Sequence, residues 1–397
     1  MKPTLYASLA AALLACATFA RTDEGPQIHW KKIVLDNKFY AEGANFGDFN
    51  HDGKLDIAAG PYWYEGPDYS PERRHEYMPV KSYDPHGYSK NFLVFVHDFN
   101  GDGWDDILVV GFPGEEAYWY ENPKGKDGHW IQHKVIDHVD DESPGFGDLF
   151  KDGKPVLICM TGGKLGYAAP DETDPIKPWT FHPISPNKGY QRFTHGLGWG
   201  DVNGDGRNDL LVHDGWYEQP ASLKGDPEWK FHPADFGKGG AQMHVFDVNG
   251  DGRPDVVTSL EAHGYGLCWF EQKPDGSFDK HVILGSKESE NPQGVKISEM
   301  HAIDVIDVNG DGLPDIVTGK RFWAHGPFGD VDAGAPAVLY WFELQRDGTS
   351  AHFVAHQIDN NSGVGTQVIA RRATGAKVPS IVVSNKKGTF VFVPETE

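Results

Sequence analysis

The 397 residues include 48 glycines, 27 prolines and 13 % aromatic side chains, a balance that favours short strands and many turns over helices. A formal net charge of −22 argues against nucleic acid or an anionic membrane surface as a partner. No amphipathic helical run of useful length follows the first twenty residues, so the expected fold class is all-β.

In chain order, Met1-Lys2-Pro3 and the apolar run Leu5 to Ala15 read as a signal peptide over residues 1–20, with a small-residue cut at Ala20–Arg21. A lipoprotein box at Leu13-Leu14-Ala15-Cys16, with Cys16 acylated, is the alternative. Export follows from either, to a secreted or periplasmic location. No later segment has the length and apolarity of a transmembrane span. Cys159 and Cys268 sit in strand-like stretches of different repeats and read as buried thiols.

From residue 28 one pattern recurs: an apolar strand, the loop D-x-N-x-D-G-x-x-D, a second strand, then W-[YF]-E and a fourth strand. Complete loops begin at Asp48, Asp98, Asp201, Asp247 and Asp307, with a degenerate copy at Asp148 and a vestigial one near Arg372. Their starts lie about 46 to 65 residues apart, which suits four-stranded propeller blades. The W-[YF]-E strands begin at Trp63, Trp119, Trp216, Trp269 and Trp341. Fourth strands are expected at 30–37, 77–84, 131–138, 179–186, 229–236, 278–285 and 352–359. The first of these precedes any first strand, and the last unit lacks a fourth. Hence the expectation is one domain over 28–397, a seven-bladed β-propeller of four-stranded blades, closed by the N-terminal strand completing the last blade.

The loops gather hard oxygen ligands. Positions 1, 3, 5 and 9 are Asp48, Asn50, Asp52 and Asp56; Asp98, Asn100, Asp102 and Asp106; Asp201, Asn203, Asp205 and Asp209; Asp247, Asn249, Asp251 and Asp255; and Asp307, Asn309, Asp311 and Asp315. With a backbone carbonyl at position 7 and glycine at 6, each set suits a structural Ca²⁺; the alternative is an Asx-turn hairpin that needs no metal. These loops and their trailing strands resemble the FG-GAP/VCBS-type propeller repeat, as in integrin α-chain propellers. The resemblance covers nearly the whole chain after the leader and implies the fold and calcium, but hardly a function.

If the acidic loops end the first strands at one face, the loops that enter first strands and those between second and third strands share the other. There the sequence places Glu42, His86, Tyr88, Lys90, Glu142, Lys188, Tyr190, Arg192, His195, Gln242, Glu299 and His301, with His213, Asp214, Glu261, His263, Tyr265, Lys320, Arg321 and His325. His195 and His301 occupy the same repeat position, while Ala262-His263-Gly264 and Ala324-His325-Gly326 repeat a motif. Groups titrating near neutrality beside cations are what general acid–base chemistry needs. A second divalent metal on histidines in the central channel is a further expectation. The W-[YF]-E strands read as packing between blades.

The segments EGANFGDFNHDGKLDIAAGPYWYEGP, THGLGWGDVNGDGRNDLLVHDGWYEQP, SLEAHGYGLCWFEQ and GKRFWAHGPFGDVDAGAPAVLYWFEL resemble the propeller domain of the aldos-2-ulose dehydratase family. That resemblance implies elimination of water from keto-sugars; the cupin domains of the family's larger members have no counterpart in this sequence. The resulting expectation is a carbon–oxygen lyase on a keto-sugar or oxidised glycoside. His301 or His195 would act as base, Lys320 or Arg321 would hold the enolate, His263 or Tyr265 would donate the proton, and His325 would lie nearby. The alternative is a calcium-stabilised propeller that binds carbohydrate or protein without catalysis. A small carbohydrate ligand is common to both, and the oligomeric state stays open.

Overall fold

The computed structural model describes residues 28–395; the expected signal peptide and Cys16 lie outside the described residues. The chain is a β-propeller built of four-stranded antiparallel blades. The first unit is typical: Ala44–Gly47 lies innermost, followed outwards by Asp56–Ala59, Tyr62–Tyr64 and Arg74–Glu76. Its apolar positions alternate or run continuously because both faces of a blade pack against neighbours. Among the described residues no helix is long and apolar enough to cross a membrane. Cys159 and Cys268 are both free and buried.

The expected count of seven separate blades is corrected. Among the described residues five four-stranded sheets stand apart, and the other eight strands form one continuous sheet, because Leu197–Gly200 and Met243–Phe246 pair in parallel. Glycine permits this contact. A Cβ on Gly198 would stand 2.0 Å from the Met243 carbonyl oxygen, and one on Gly200 would stand 2.5 Å from Val245 Cβ. The strand Trp30–Asp36 pairs antiparallel with Gly388–Pro394, so the first and last strands share a sheet. The fourth strand of the first unit is Arg74–Glu76, not 77–84, since His75 is the register partner of Trp63 and Pro79 has no amide to donate.

That register recurs. Trp63, Trp119, Trp216, Trp269 and Trp341 face His75, His133, His232, His281 and His356 across strands three and four. The rings lie 4.0 to 4.4 Å apart between centroids. Each imidazole Nε2 meets the glutamate of its own W-[YF]-E at 2.7 to 2.9 Å. In the degenerate unit Tyr167 and His182 stack in the same place. Six of the nineteen histidines are thereby structural, and the W-[YF]-E motif is one half of a cross-strand brace.

The innermost strands surround a cavity of about 310 Å³. Their polar side chains stitch units together, in the case of Gln367 across the first unit to the second. Gln242 Oε1 accepts the Ile303 amide at 3.0 Å, Asp304 Oδ2 accepts the Ala370 amide at 2.7 Å, and Gln367 Oε1 accepts the Val94 amide at 3.0 Å. Gly198→Ala drives a methyl into Met243 and should lower unfolding stability by about 1–3 kcal/mol in urea titration; an unchanged midpoint would show that the parallel contact carries no strain.

Candidate functional site

Loops that enter first strands carry Glu42, Glu142, His195 and His301; loops between second and third strands carry His263, Arg321 and His325. These seven come together at one face although 283 residues separate the first from the last. His195 Nε2 lies 3.1 Å from His301 Nε2, and Glu142 Oε2 lies 3.5 and 3.3 Å from the same two nitrogens. The His263 ring stands 5.0 Å from that of His195, 5.1 Å from that of His301 and 4.4 Å from that of His325.

Arg321 is the hub. Its Nη1 donates to His301 Nε2 at 2.8 Å and faces Glu142 Oε2 at 3.4 Å, while Nη2 donates to Glu42 Oε2. The guanidinium is buried, which alone would lower its pKa, but the two carboxylates raise it instead. Because His301 Nε2 accepts from Arg321, its proton sits on Nδ1. Burial, then the Arg321 charge, pushes His301 down to about 3; burial and the charges of His301 and His195 push His263 to about 2. Both are neutral at pH 7. Burial opposes ionisation of Glu142, yet the side chains of His195 and His301 beside it hold it well below the usual carboxylate range.

The remaining expected residues divide. Lys320 is buried, and its ammonium goes to Glu299 Oε1 at 2.5 Å and Ser298 Oγ at 3.0 Å, so two of its three donors face away from the histidines. Tyr265 hydrogen-bonds Asp332, and burial together with that bond raises its pKa to about 12. His325 is half exposed and its Nδ1 meets Asp330 Oδ1 at 2.7 Å. His244, on the innermost strand Met243–Phe246, is half-buried and bonded to the Ile303 carbonyl at 3.2 Å. Sequence reasoning missed Asp330 and Lys386. Lys386 Nζ donates to the carbonyls of Trp323 and Ala324 at 2.8 and 3.2 Å and lies 4.4 Å above the Tyr88 ring; burial lowers its pKa to about 8. It occupies the turn between the second and third strands of the last unit, the loop class that already supplied His263 and Arg321, so the same sorting rule would have found it.

The acidic loops lie on the other side of the strands, and their ninth-position aspartates turn inwards. Asp56, Asp106, Asp209, Asp255 and Asp315 have no exposure. In each, Oδ2 accepts the amide of loop position 2 and Oδ1 the amide just after W-[YF]-E. Burial raises them to about 6, 8, 6, 6 and 7 respectively. Positions 1, 3 and 5 keep some exposure, apart from the buried Asn249: Asp48 Oδ1 and Asn50 Oδ1 both accept the Asp52 amide at 3.0 Å, and the other loops repeat this. Lys54, Lys124, Arg207 and Arg253 place a cation on the position-5 carboxylate of four loops.

An FG-GAP-like repeat family matches residues 98–159, 201–258 and 247–318. The chain carries FG-GAP-like repeats on a β-propeller fold. Among solved structures, BBS1N in complex with ARL6DN, soaked with mercury, is 11 % identical at a TM-score of 0.51, covering 93 % of this chain and 98 % of that one. The Myceliophteria thermophila Cps50 (Swd1) β-propeller domain is 9 % identical at a TM-score of 0.51, covering 92 % and 100 %. The rhamnogalacturonan lyase YesW is 12 % identical and covers 91 % and 75 %, but its TM-score of 0.46 carries no argument. These likenesses speak to fold alone. No curated protein matches the chain, so the dehydratase resemblance gains no support from that side.

Arg321→Met removes the cation between two buried carboxylates and should cost about 3–5 kcal/mol of stability in urea titration. Arg321→Lys should recover only part, because a point charge cannot serve Glu42, Glu142 and His301 at once; full recovery by lysine would show that geometry is immaterial.

Proposed function

We propose that the chain is a carbon–oxygen lyase that removes water or an alcohol from a keto-sugar or oxidised glycoside. The observation that supports this is the meeting of His195, His263 and His301 with Glu142 and Arg321 at one face. His301 is fully buried and serves to orient; His195 keeps 12 % of its side chain exposed and is the imidazole a substrate reaches beside Glu142. In the proposed step His195 takes the proton from the carbon next to the carbonyl while Glu142 balances the imidazolium. The C–H pair forms the new C=C bond, and the C–O bond to the β-substituent breaks. His325, starting as the imidazolium with Nδ1–H on Asp330, gives its Nε2 proton to the departing oxygen, which leaves as water or alcohol.

The donor nitrogens of His195, His263 and His301 lie within 4.8 Å of one another, and His263 Nδ1 is buried without a partner. Ligands of one tetrahedral zinc-type ion stand about 3.3 Å apart, close to the spacing between His195, His301 and Glu142. These spacings suit a divalent ion held by the three histidines, an arrangement in which His195 would be a ligand and not the base. Such an ion, when bound, supplies Lewis-acid polarisation of the substrate carbonyl. Arg321 holds the same lone pair on His301, so its hydrogen bond and metal ligation by that nitrogen exclude each other.

Incubation with 1,5-anhydro-fructose or a 3-keto-glycoside should raise ultraviolet absorbance as an enone forms. His195→Ala should slow this by about 10²–10⁴-fold with an unchanged Tm; absence of turnover by the unaltered protein on every keto-sugar would retire the lyase reading.

We also propose Ca²⁺ at the five complete loops, on the side-chain oxygens of positions 1, 3 and 5. The ninth-position carboxylates have folded pKa values raised above 3.8, so their contribution to stability is complete below that pH and is lost as pH rises through about 6 to 8. With excess chelator the unfolding free energy should therefore fall between about pH 4 and 8. Ca²⁺ should offset that fall, by about 2.7 kcal/mol per site at a hundred times its Kd. A Tm indifferent to Ca²⁺ and chelator would leave the loops as plain Asx turns.

A further inference from the structure

The segment from Lys320 to Val338 is the longest connection between second and third strands, and it carries His325 and Asp330 at the site. Its base is pinned from several sides. Lys320 N–H donates to the Val338 carbonyl at 2.9 Å, Lys386 holds the Trp323 and Ala324 carbonyls, Ser298 Oγ donates to the Val331 carbonyl at 2.9 Å, and Tyr265 bonds Asp332. Its tip is pinned too. Asp330 accepts the His325 amide at 2.8 Å and meets His325 Nδ1 at 2.7 Å, closing residues 325–330 into a small ring. Only glycine suits position 329, where a Cβ would stand 2.3 Å from the His325 carbonyl oxygen.

This braced ring displays Phe328, which is 95 % exposed, the highest value among the large hydrophobic side chains of the described residues. Burying a phenyl ring is favourable by about 25 cal/mol per Å², so a free loop would fold it inwards; the hydrogen bonds hold it out. It stands two positions from Asp330, so its Cα lies within about 7.6 Å of the Asp330 Cα, and the Asp330 carboxylate in turn meets His325 and faces His263.

We propose that Phe328 is a ligand-contacting platform on which the ring adjoining the reacting sugar stacks, the second sugar or the aglycone of a glycoside. This rests on the lyase site at that face. A rigid aromatic ring offers large contact area at small entropic cost, and the apolar C–H face of a pyranose is complementary to it. Phe328 then selects glycosides over free monosaccharides and leaves the chemistry untouched, since it touches no reacting atom.

The test uses the full chain in a His195→Ala background, where substrate binds without turnover. Kd is measured by calorimetry for methyl 3-keto-glucoside and for a 3-keto-glucosyl disaccharide, with and without Phe328→Ala. The expected result is about a tenfold weaker disaccharide Kd, an unchanged monosaccharide Kd, an unchanged Tm, and recovery by Phe328→Trp. Equal loss on both sugars, or none, overturns the proposal. So does a dimer that Phe328→Ala converts to monomer in sedimentation, which would make the tip a contact between copies. Turnover by the unaltered chain is scored separately, so a failed lyase reading with intact disaccharide discrimination remains distinguishable from a failed platform.

Discussion

At the start of each complete second strand an aspartate carboxylate is taken out of water and given two backbone amides in return. One amide comes from the preceding loop and the other from the residue after W-[YF]-E, so a single side chain ties three strands of a blade. Burying a carboxylate is costly unless its oxygens are satisfied, and leaving two buried amides without acceptors is costly as well. The two needs meet only if the loop and the third strand are both in place. The degenerate unit supports this account: Val156 stands in place of the aspartate, and Pro170, which has no N–H, stands where the second amide would be. Donor and acceptor are absent together. The loop there still closes through Asp148, whose oxygens accept the amides of Asp152 and Gly153.

With the blades fixed in this way, their first strands bring distant loop ends to one face at set heights. The charges gathered there are balanced inside the protein. Glu42 and Glu142 share Arg321, and Glu299 takes Lys320. These pairs spend most of the candidate cations on holding the face together. What remains includes His301 and His263, held neutral by burial and by the nearby Arg321 charge, with His195 and Glu142 beside them. Neutral imidazoles can serve as bases or as metal ligands, and the same desolvation that makes them available strengthens every charge interaction in their neighbourhood.

Part of this was legible in the linear chain. The period of the acidic loops and of W-[YF]-E announced four-stranded blades, and the shared repeat position of His195 and His301 put both on one face; that their Nε2 atoms stand 3.1 Å apart only the tertiary structure decides. The recurrent histidine of the fourth strands carried an equally regular signal, at 75, 133, 182, 232, 281 and 356, which accounts for a third of the histidines as stacking partners. Periodicity makes such features readable because each repeat builds the same local surroundings from nearby residues.

What the sequence by itself determined was therefore most of what depends on one unit: the strands apart from the fourth of the first unit, the hairpin loops, the face to which each loop points. Tertiary structure decided the rest. Whether two units form separate sheets or one continuous sheet turns on the missing Cβ of Gly198, whose effect depends on where Met243 lies. The inward turn of the ninth-position aspartates depends on amides from another strand, and the commitment of Lys320 to Glu299 leaves Arg321, its chain neighbour, as the hub. Glu42, Glu142, His301 and Arg321 lie tens to hundreds of residues apart. Nothing local sets which carboxylate a buried guanidinium will choose, because that choice follows from distances that exist only once the blades stand round a common axis.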